Sequence, residues 1–367
     1  MRKFRLRMLV AWLCVMPAIA SARQQAVEFS GQQWQFADRG AHLMTYMNRP
    51  SLFLDNGIAY VPAAAFADGV IEFDVAMHGG AGFAGVVFRG VSAGNYELIY
   101  LRTARSRQWD ALQYTPIFNE QEAWQLYTGE GFNAAAELPA NRWVHVRVEV
   151  DGYVARVFLD NASAPALTVR ELRRSWEAGF VGLWGRFGAA NFSNFKFTRA
   201  DRQTPSRPRA PKVPGAITRW ELSASFDAKS VAHDRRLDDQ GKPAQWQAVE
   251  AEPTGLLNIA EHRKLPDAER GVVFARTAIT ATAAERVRLS FGYSDDVTVL
   301  LNGRPVFAGG AAYLSRDGSY LGSLTQHDAV FLELNRGENE LTFVVAERFG
   351  GWGLSVTIDP RSGVTIR

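Results

Sequence analysis

Cysteine is almost absent from this chain: Cys14 is the only one in 367 residues. It lies in the apolar start, so the remainder carries no thiol and no disulfide, and its stability has to come from packing. Histidine is scarce as well. His42, His78, His145, His233, His262 and His327 never fall at H-x-H or H-E-x-x-H spacing, which removes the sequence case for a zinc centre. No G-x-S-x-G nucleophile elbow occurs. Gly80-Ala81-Gly82-Phe83-Ala84-Gly85 has the G-x-G-x-x-G spelling, but Val86-Val87-Phe88-Arg89 follows. That reads as a strand, not the helix whose N-terminus would receive a pyrophosphate.

Long apolar runs are missing too, with one exception at the start. Arg2, Lys3, Arg5 and Arg7 precede the apolar stretch Met8 to Ala20, and Ala20-Ser21-Ala22 supplies small residues for cleavage. We read residues 1–22 as a secretory signal, because the stretch is shorter than the ~20 residues a membrane-spanning helix needs. The mature chain is then expected to lack a membrane span and to be secreted or periplasmic. Its charge excess disappears with the signal. The 41 basic residues fall to 37 once those four are removed, against 38 acidic ones, so the net charge moves from +3 to −1. A nucleic-acid partner is therefore not expected.

What remains is rich in strand and turn signals. Val70, Glu72 and Asp74 alternate with Ile71, Phe73 and Val75, a period of two that puts both carboxylates on one face. Val144, Val146, Val148 and Val150 alternate with His145, Arg147 and Glu149, which predicts valines toward the core. Asp55-Asn56-Gly57, Asp151-Gly152 and Asn302-Gly303 are hairpin turn signals. Ala123 to Tyr127 reads as a further strand, and residues 170–176 as one short helix. Pro205, Pro208, Pro211 and Pro214 recur every third residue, the period of polyproline II, so residues 199–215 read as a semi-rigid basic spacer, or else as a segment wrapped on a surface. The expected organisation is all-β: two β-sandwiches of jelly-roll type, residues 23–198 and 216–367, joined by a Pro-rich linker.

Residues 93–127 carry the densest chemistry. Tyr96, Trp109 and Trp124 alternate with Glu97, Arg102, Asp110, Gln113 and Asn119, and Arg89 precedes them. A sugar presents a C–H face to an aromatic ring and hydroxyls to amides, carboxylates and guanidinium groups. Arg89, Tyr96, Arg102, Trp109, Asp110, Gln113, Asn119 and Trp124 are therefore the candidate glycan-binding residues. The same pattern also fits rings packed in a core with solvated charges. In the second half, Tyr293, Asp295, Asp296, Arg304, Tyr313, Arg316, Asp317, Tyr320, Phe349 and Trp352 are candidate rim residues, with Trp352 leaning toward a core plug. Cleavage would need a carboxyl pair of split protonation, either Glu72 with Asp74 or Glu97 with Asp110. No cofactor is expected. Asp295-Asp296 and Asp238-Asp239 offer oxygen to a structural calcium, but without the ligand spacing of a known loop.

Gly69-Val70-Ile71-Glu72-Phe73, Gly85-Val86-Val87-Phe88-Arg89, Tyr96-Glu97-Leu98, Trp143-Val144-His145-Val146 and Gly182-Leu183-Trp184 together resemble the concanavalin A-like lectin/glucanase superfamily. The likeness is nearest its laminin G-like and 3-keto-disaccharide hydrolase-like branch. It implies a sandwich and a carbohydrate partner. The glucanases of that superfamily carry a third carboxylate that would fall at Ala76 or Met77 here, so the resemblance does not bring their acid/base with it. Ser294-Asp295-Asp296-Val297, Leu301-Asn302-Gly303 and Gly351-Trp352-Gly353 resemble the galactose-binding-like jelly rolls that accompany carbohydrate-active enzymes. The leading expectation is carbohydrate binding, with glycan cleavage second and a cell-surface adhesion or structural module third.

Overall fold

The computed structural model describes residues 26–36, 40–188, 190–201, 203, 205–208, 210–230, 245–266 and 270–366. The expected signal segment with Cys14, together with His233 and the Asp238-Asp239 pair, lies outside these residues. Among the described residues the chain forms four sheets, two from each half. The expectation of an all-β sandwich fold holds.

In the first half, one sheet is centred on Gly57–Phe66, Gly179–Arg186, Phe83–Ser92, Asn95–Arg102 and Leu112–Phe118. The other runs Leu167–Val169, Val154–Leu159, Val144–Asp151, Gly69–Met77, Ala190–Arg199, Arg49–Leu54 and His42–Tyr46. Period-two burial decides which faces meet. Ile71, Phe73, Val75, Val144, Val146, Val148 and Val150 face Val86, Phe88, Ile99, Leu101 and Leu183 in one buried core. In the second half, the larger sheet centres on Gly271–Ala281, Gly337–Glu347 and Asp296–Leu301. The smaller one centres on Gly353–Ile358 and Glu285–Ser294. Trp352 is fully buried between them, a plug as its place before a strand suggested.

Three local readings change, and one open choice is decided. Asp55-Asn56-Gly57 does not close a hairpin: Arg49–Leu54 belongs to one sheet and Gly57–Phe66 to the other, so the turn carries the chain across the sandwich. The turn residues permit the reversal, but the apolar faces on either side choose different partners. Residues 170–176 are not helical. Their N–H groups are taken by buried acceptors instead, Leu172 N by Tyr153 O at 2.7 Å, Arg173 N by Tyr114 Oη at 2.7 Å and Arg174 N by Glu97 Oε1 at 3.0 Å. Ala123 to Tyr127 is a turn, not a strand, closed by Leu126 and Tyr127 N–H groups on Ala123 O. The proline segment lies against the first sandwich. Arg207 donates to the carbonyls of Leu172 and Arg174 and stacks over Tyr153, 5.0 Å from the ring centre.

Candidate functional site

The two sandwiches meet along residues 118–127, and Gln125 is the centre of that seam. It is fully buried. Its N–H donates to Gly350 O at 3.0 Å, and its Nε2 donates to Leu321 O at 3.1 Å. Its carbonyl accepts from Leu324 N at 2.7 Å, and its Oε1 accepts from Ser294 Oγ at 2.9 Å. The backbone of the second sandwich has to approach closely, and glycine allows it. Gly350 has φ +103°, and a Cβ added there would sit 2.6 Å from Gln125 Oε1. On either side, Asn119 Nδ2 donates to Ala260 O at 2.8 Å, and Gln121 Nε2 donates to Arg263 O at 3.1 Å. Tyr127 Oη donates to Glu252 at 2.9 Å, and Arg173 pairs with the same carboxylate at 3.0 Å.

A cleft of about 670 Å³ opens beside this seam. Arg105 and Trp109 form one wall; Tyr313, Asp317, Ser319, Tyr320 and His327 form the other. Trp109 is 47% exposed and Tyr313 42%, both unusual for large aromatics. Trp124 holds Tyr313 edge-on at 6.2 Å between ring centres, and Phe349 closes the group at 6.0 Å from Tyr313. Asp110 fixes the first wall by accepting from Arg102 Nη1 and Arg105 Nε, each at 2.9 Å. On the second wall Arg316 stacks over Tyr320 at 5.3 Å and pairs with Asp328 at 3.0 Å. Asp317 accepts from the Ser319 hydroxyl and N–H, which hold its carboxyl below the ordinary range. Tyr320 Oη has no hydrogen-bond partner among the described residues.

A second aromatic group covers the outer face of the first sandwich's larger sheet. Tyr96, Tyr100, Phe180 and Trp184 are almost fully buried against one another, with Tyr60 and Phe83 partly so. Arg102 stacks over Phe83 and Tyr100 at 5.4 and 5.0 Å, and it also donates to Gln113 Oε1. Burial pushes the Tyr96 and Tyr100 hydroxyls far up, so both stay protonated donors. Glu122, paired with Arg186, is raised by the same burial.

The predicted residues thus separate into groups. Arg102, Asp110 and Gln113 come together with Tyr96 on the outer ring cluster, while Trp109 reaches the cleft and Trp124 packs behind it on Tyr313 and Phe349. Asn119 is engaged in the seam. Arg89 lies elsewhere: it is 1% exposed, and it donates to Asp68 at 2.9 Å, to Ala67 O at 2.7 Å and to Gly152 O at 2.5 Å. Glu97 and Asp110 do not form one site. Glu97 is fully buried between Tyr114 Oη at 2.7 Å and Arg174 N, its carboxyl raised by desolvation, whereas Asp110 holds the two arginines. Glu72 and Asp74 do share a face, and His145 lies between them, Nδ1 at 2.7 Å from Asp74 and Nε2 at 3.5 Å from Glu72. Arg49 and Asn194 hold the other Asp74 oxygen at 2.8 and 2.6 Å, and Lys196 holds Glu72 at 3.1 Å. All four carboxylate oxygens are therefore engaged. Gln125 carries no sequence signal beyond its place between Trp124 and Leu126. Tyr313, Asp317, Tyr320 and Phe349 stand out in the sequence as rim residues, but nothing there joins them to Trp109.

No family model and no curated protein matches the chain. Among solved structures, it is similar to the carbohydrate binding module CBM66 from Bacillus subtilis, with 16% identity and a TM-score of 0.35 over 45% of this chain and 94% of that one. A protein of unknown function with a galectin-like fold, also from Bacillus subtilis, gives 14% and 0.34 over 46% and 90%. The Caenorhabditis elegans galectin LEC-6 gives 11% and 0.28 over 38% and 95%. Identities this low leave ligand and chemistry to be argued from this chain's own residues.

Proposed function

We propose that the protein is an exported carbohydrate-binding protein that holds a poly- or oligosaccharide in the cleft between its two sandwiches. One observation carries the reading: Trp109 and Tyr313, each more than 40% exposed, stand on opposite walls of a 670 Å³ cleft together with hydrogen-bonding side chains. Exposed rings offer apolar faces that water solvates poorly, and a sugar's C–H face covers them while keeping its hydroxyls on polar partners. Arg105, Ser319 and His327 supply those partners. Asp110 keeps Arg105 in place, which lowers the ordering cost on binding.

Binding is favoured over glycosidic cleavage. Asp317 is the one carboxylate among the described residues lining the cleft, and hydrolysis by the common routes needs two flanking the bond. The exported location rests on the charged and apolar start of the chain. Among the described residues no helix is long and apolar enough to cross a membrane. A glycan array followed by titration calorimetry of the mature chain tests the proposal. Saturable binding that disappears in Trp109→Ala and Tyr313→Ala variants of unchanged melting temperature is expected. Undiminished binding in both variants would overturn the choice of cleft, and no binding to any glycan would overturn the function.

A further inference from the structure

The two walls of the cleft differ in charge, and the difference traces to single groups. On the first wall, buried Asp110 holds two guanidinium groups, Arg102 through Nη1 and Arg105 through Nε, each at 2.9 Å. Two cations against one carboxylate leave one positive charge uncompensated. It does not fall on Arg102. That side chain is 12% exposed, and its other amino group donates to Tyr100 Oη and Gln113 Oε1. The Arg105 side chain is 42% exposed, and only its Nε is used: the two amino groups have no partner among the described residues. Arg107, two residues on, is spent on Glu137 at 2.6 Å.

Arg105 and Trp109 are presented by one pinned turn. Gln108 N donates to Arg105 O at 2.8 Å, and Ala111 N donates to Gln108 O at 3.0 Å. Arg107 N donates to Ala136 O at 2.7 Å, and Ser106 Oγ accepts from Leu138 N at 2.8 Å, which ties the turn to the neighbouring segment. An exposed ring and an open guanidinium group are therefore fixed before a ligand arrives, and the ordering cost of binding falls. The second wall has the opposite sign. Asp317 makes no ion pair among the described residues; its carboxylate accepts from the Ser319 hydroxyl at 2.6 Å and the Ser319 N–H at 2.7 Å. Arg316 beside it is paired with Asp328. Arg105 and Asp317 line the same cleft without pairing with each other.

We propose that the cleft selects a weakly acidic glycan, a chain carrying a uronic acid residue, with the carboxylate on the Arg105 amino groups, the sugar ring on Trp109 and hydroxyls donating to Asp317. The inference rests on the cleft being the glycan site. A guanidinium fork matches a planar carboxylate edge on. One uncompensated cation matches one anion on the ring that is held. A densely sulfated chain brings further anions against Asp317, and like charges brought together at an interface repel. A neutral chain makes Arg105 give up water without an ionic partner in exchange.

The test uses the full mature chain in titration calorimetry. The probes are uronate oligosaccharides from pectin, alginate, hyaluronan and glucuronoxylan, each beside its carboxyl-reduced form. Reduction turns the carboxylate into a hydroxymethyl group and keeps the ring stereochemistry. Carrageenan fragments, sulfated and free of uronate, form the third arm. At least one acidic oligosaccharide is expected to bind about tenfold or more tightly than its reduced form, with a preference that shrinks as salt is raised. Arg105→Gln should remove that preference. Arg105→Lys, which keeps the charge but not the fork, should retain only part of it. Asp317→Asn should bind carrageenan more tightly than wild type does. Reduced forms that bind as tightly as the acidic ones, with binding still lost in Trp109→Ala, would overturn this inference and leave the cleft as the site. So would an acidic preference that survives Arg105→Gln, or carrageenan held more tightly by wild type than any uronate. Should Arg105→Gln not fold, Arg105→Lys and the salt dependence of the acidic preference in wild type decide. No binding of any glycan, acidic, neutral or sulfated, would remove the function proposed for the cleft as well.

Discussion

Two surfaces of this protein set aromatic rings beside charged groups, and they differ in how much of the rings is left open to water. On the outer face of the first sandwich's smaller sheet, Glu72, Asp74, His145, Arg49, Asn194 and Lys196 close a network in which every carboxylate oxygen has a partner. Trp143 lies under Arg49 at 5.3 Å, and Tyr46 stacks on His78 at 4.8 Å. In the cleft between the sandwiches, Trp109 and Tyr313 keep over 40% of their surface in water. The composition of the two surfaces is alike. The difference lies in ring surface left open to water: Tyr46 and Trp143 are half-buried, and only the second surface has exposed ring faces to offer a ligand.

The sharpest way to break this comparison is at its most deeply buried ion pair. Arg89 and Asp68 are ion-paired at 2.9 Å with both side chains at or below 1% exposure. Asp68 also accepts from Gly152 N at 2.7 Å and Trp176 Nε1 at 2.7 Å. Removing one partner leaves an uncompensated buried charge, so Asp68→Ala is expected to lose about 3–5 kcal/mol in denaturant unfolding. A loss under about 1 kcal/mol would show that burial here does not make a polar group costly to unpair. At the opposite extreme, Trp109→Ala should leave stability within about 0.5 kcal/mol. It should also weaken glycan binding by about 2 kcal/mol, roughly thirtyfold, in calorimetry. If it instead unfolds the chain, Trp109 belongs with the packed rings and the contrast collapses.

A pH effect of smaller size sharpens the picture at the seam. Burial, with Glu252 adding repulsion, raises the Glu261 carboxyl from an ordinary 4.5 to about 7. A carboxyl with a raised folded-state value binds its proton more tightly in the folded chain. Its stabilisation is complete below about 4.5 and is lost as pH rises through about 7. Melting of the wild type should therefore fall over that window, and Glu261→Gln should flatten the curve. An unchanged slope in the variant would assign the window to another group.

The sequence reveals most where partners are near in the chain or follow a period. The valines of Val144–Asp151 reach the core because alternation alone dictates it. The turns Asp151-Gly152 and Asn302-Gly303 close hairpins because their strands are adjacent and pair antiparallel. What stays hidden depends on distant partners. Glu97 looks like one of several charges on a polar stretch, yet Arg174, 77 residues on, brings the N–H that buries it. Residues 170–176 favour a helix locally but are drawn straight by acceptors on three other strands and loops. Trp109 and Tyr313 are legible as aromatics, but the cleft they face exists only once the Gln125 contacts have joined the two sandwiches.

The smallest expected effect separates the two surfaces most cleanly. Glu72→Gln keeps shape and removes one charge from the closed network. Its side chain is 25% exposed, and its partners Lys196 and His145 are themselves 66% and 25% exposed, so solvent screens the pairing. The loss should be at most about 1 kcal/mol in denaturant unfolding. Glycan affinity should be unchanged, because no residue of this network lines the cleft. A variant that keeps its fold but loses binding would place the ligand on the outer face of the smaller sheet. The rings of Tyr46 and Trp143, not those of Trp109 and Tyr313, would then be the ones a sugar covers, and ring exposure would have to be abandoned as the guide to the site.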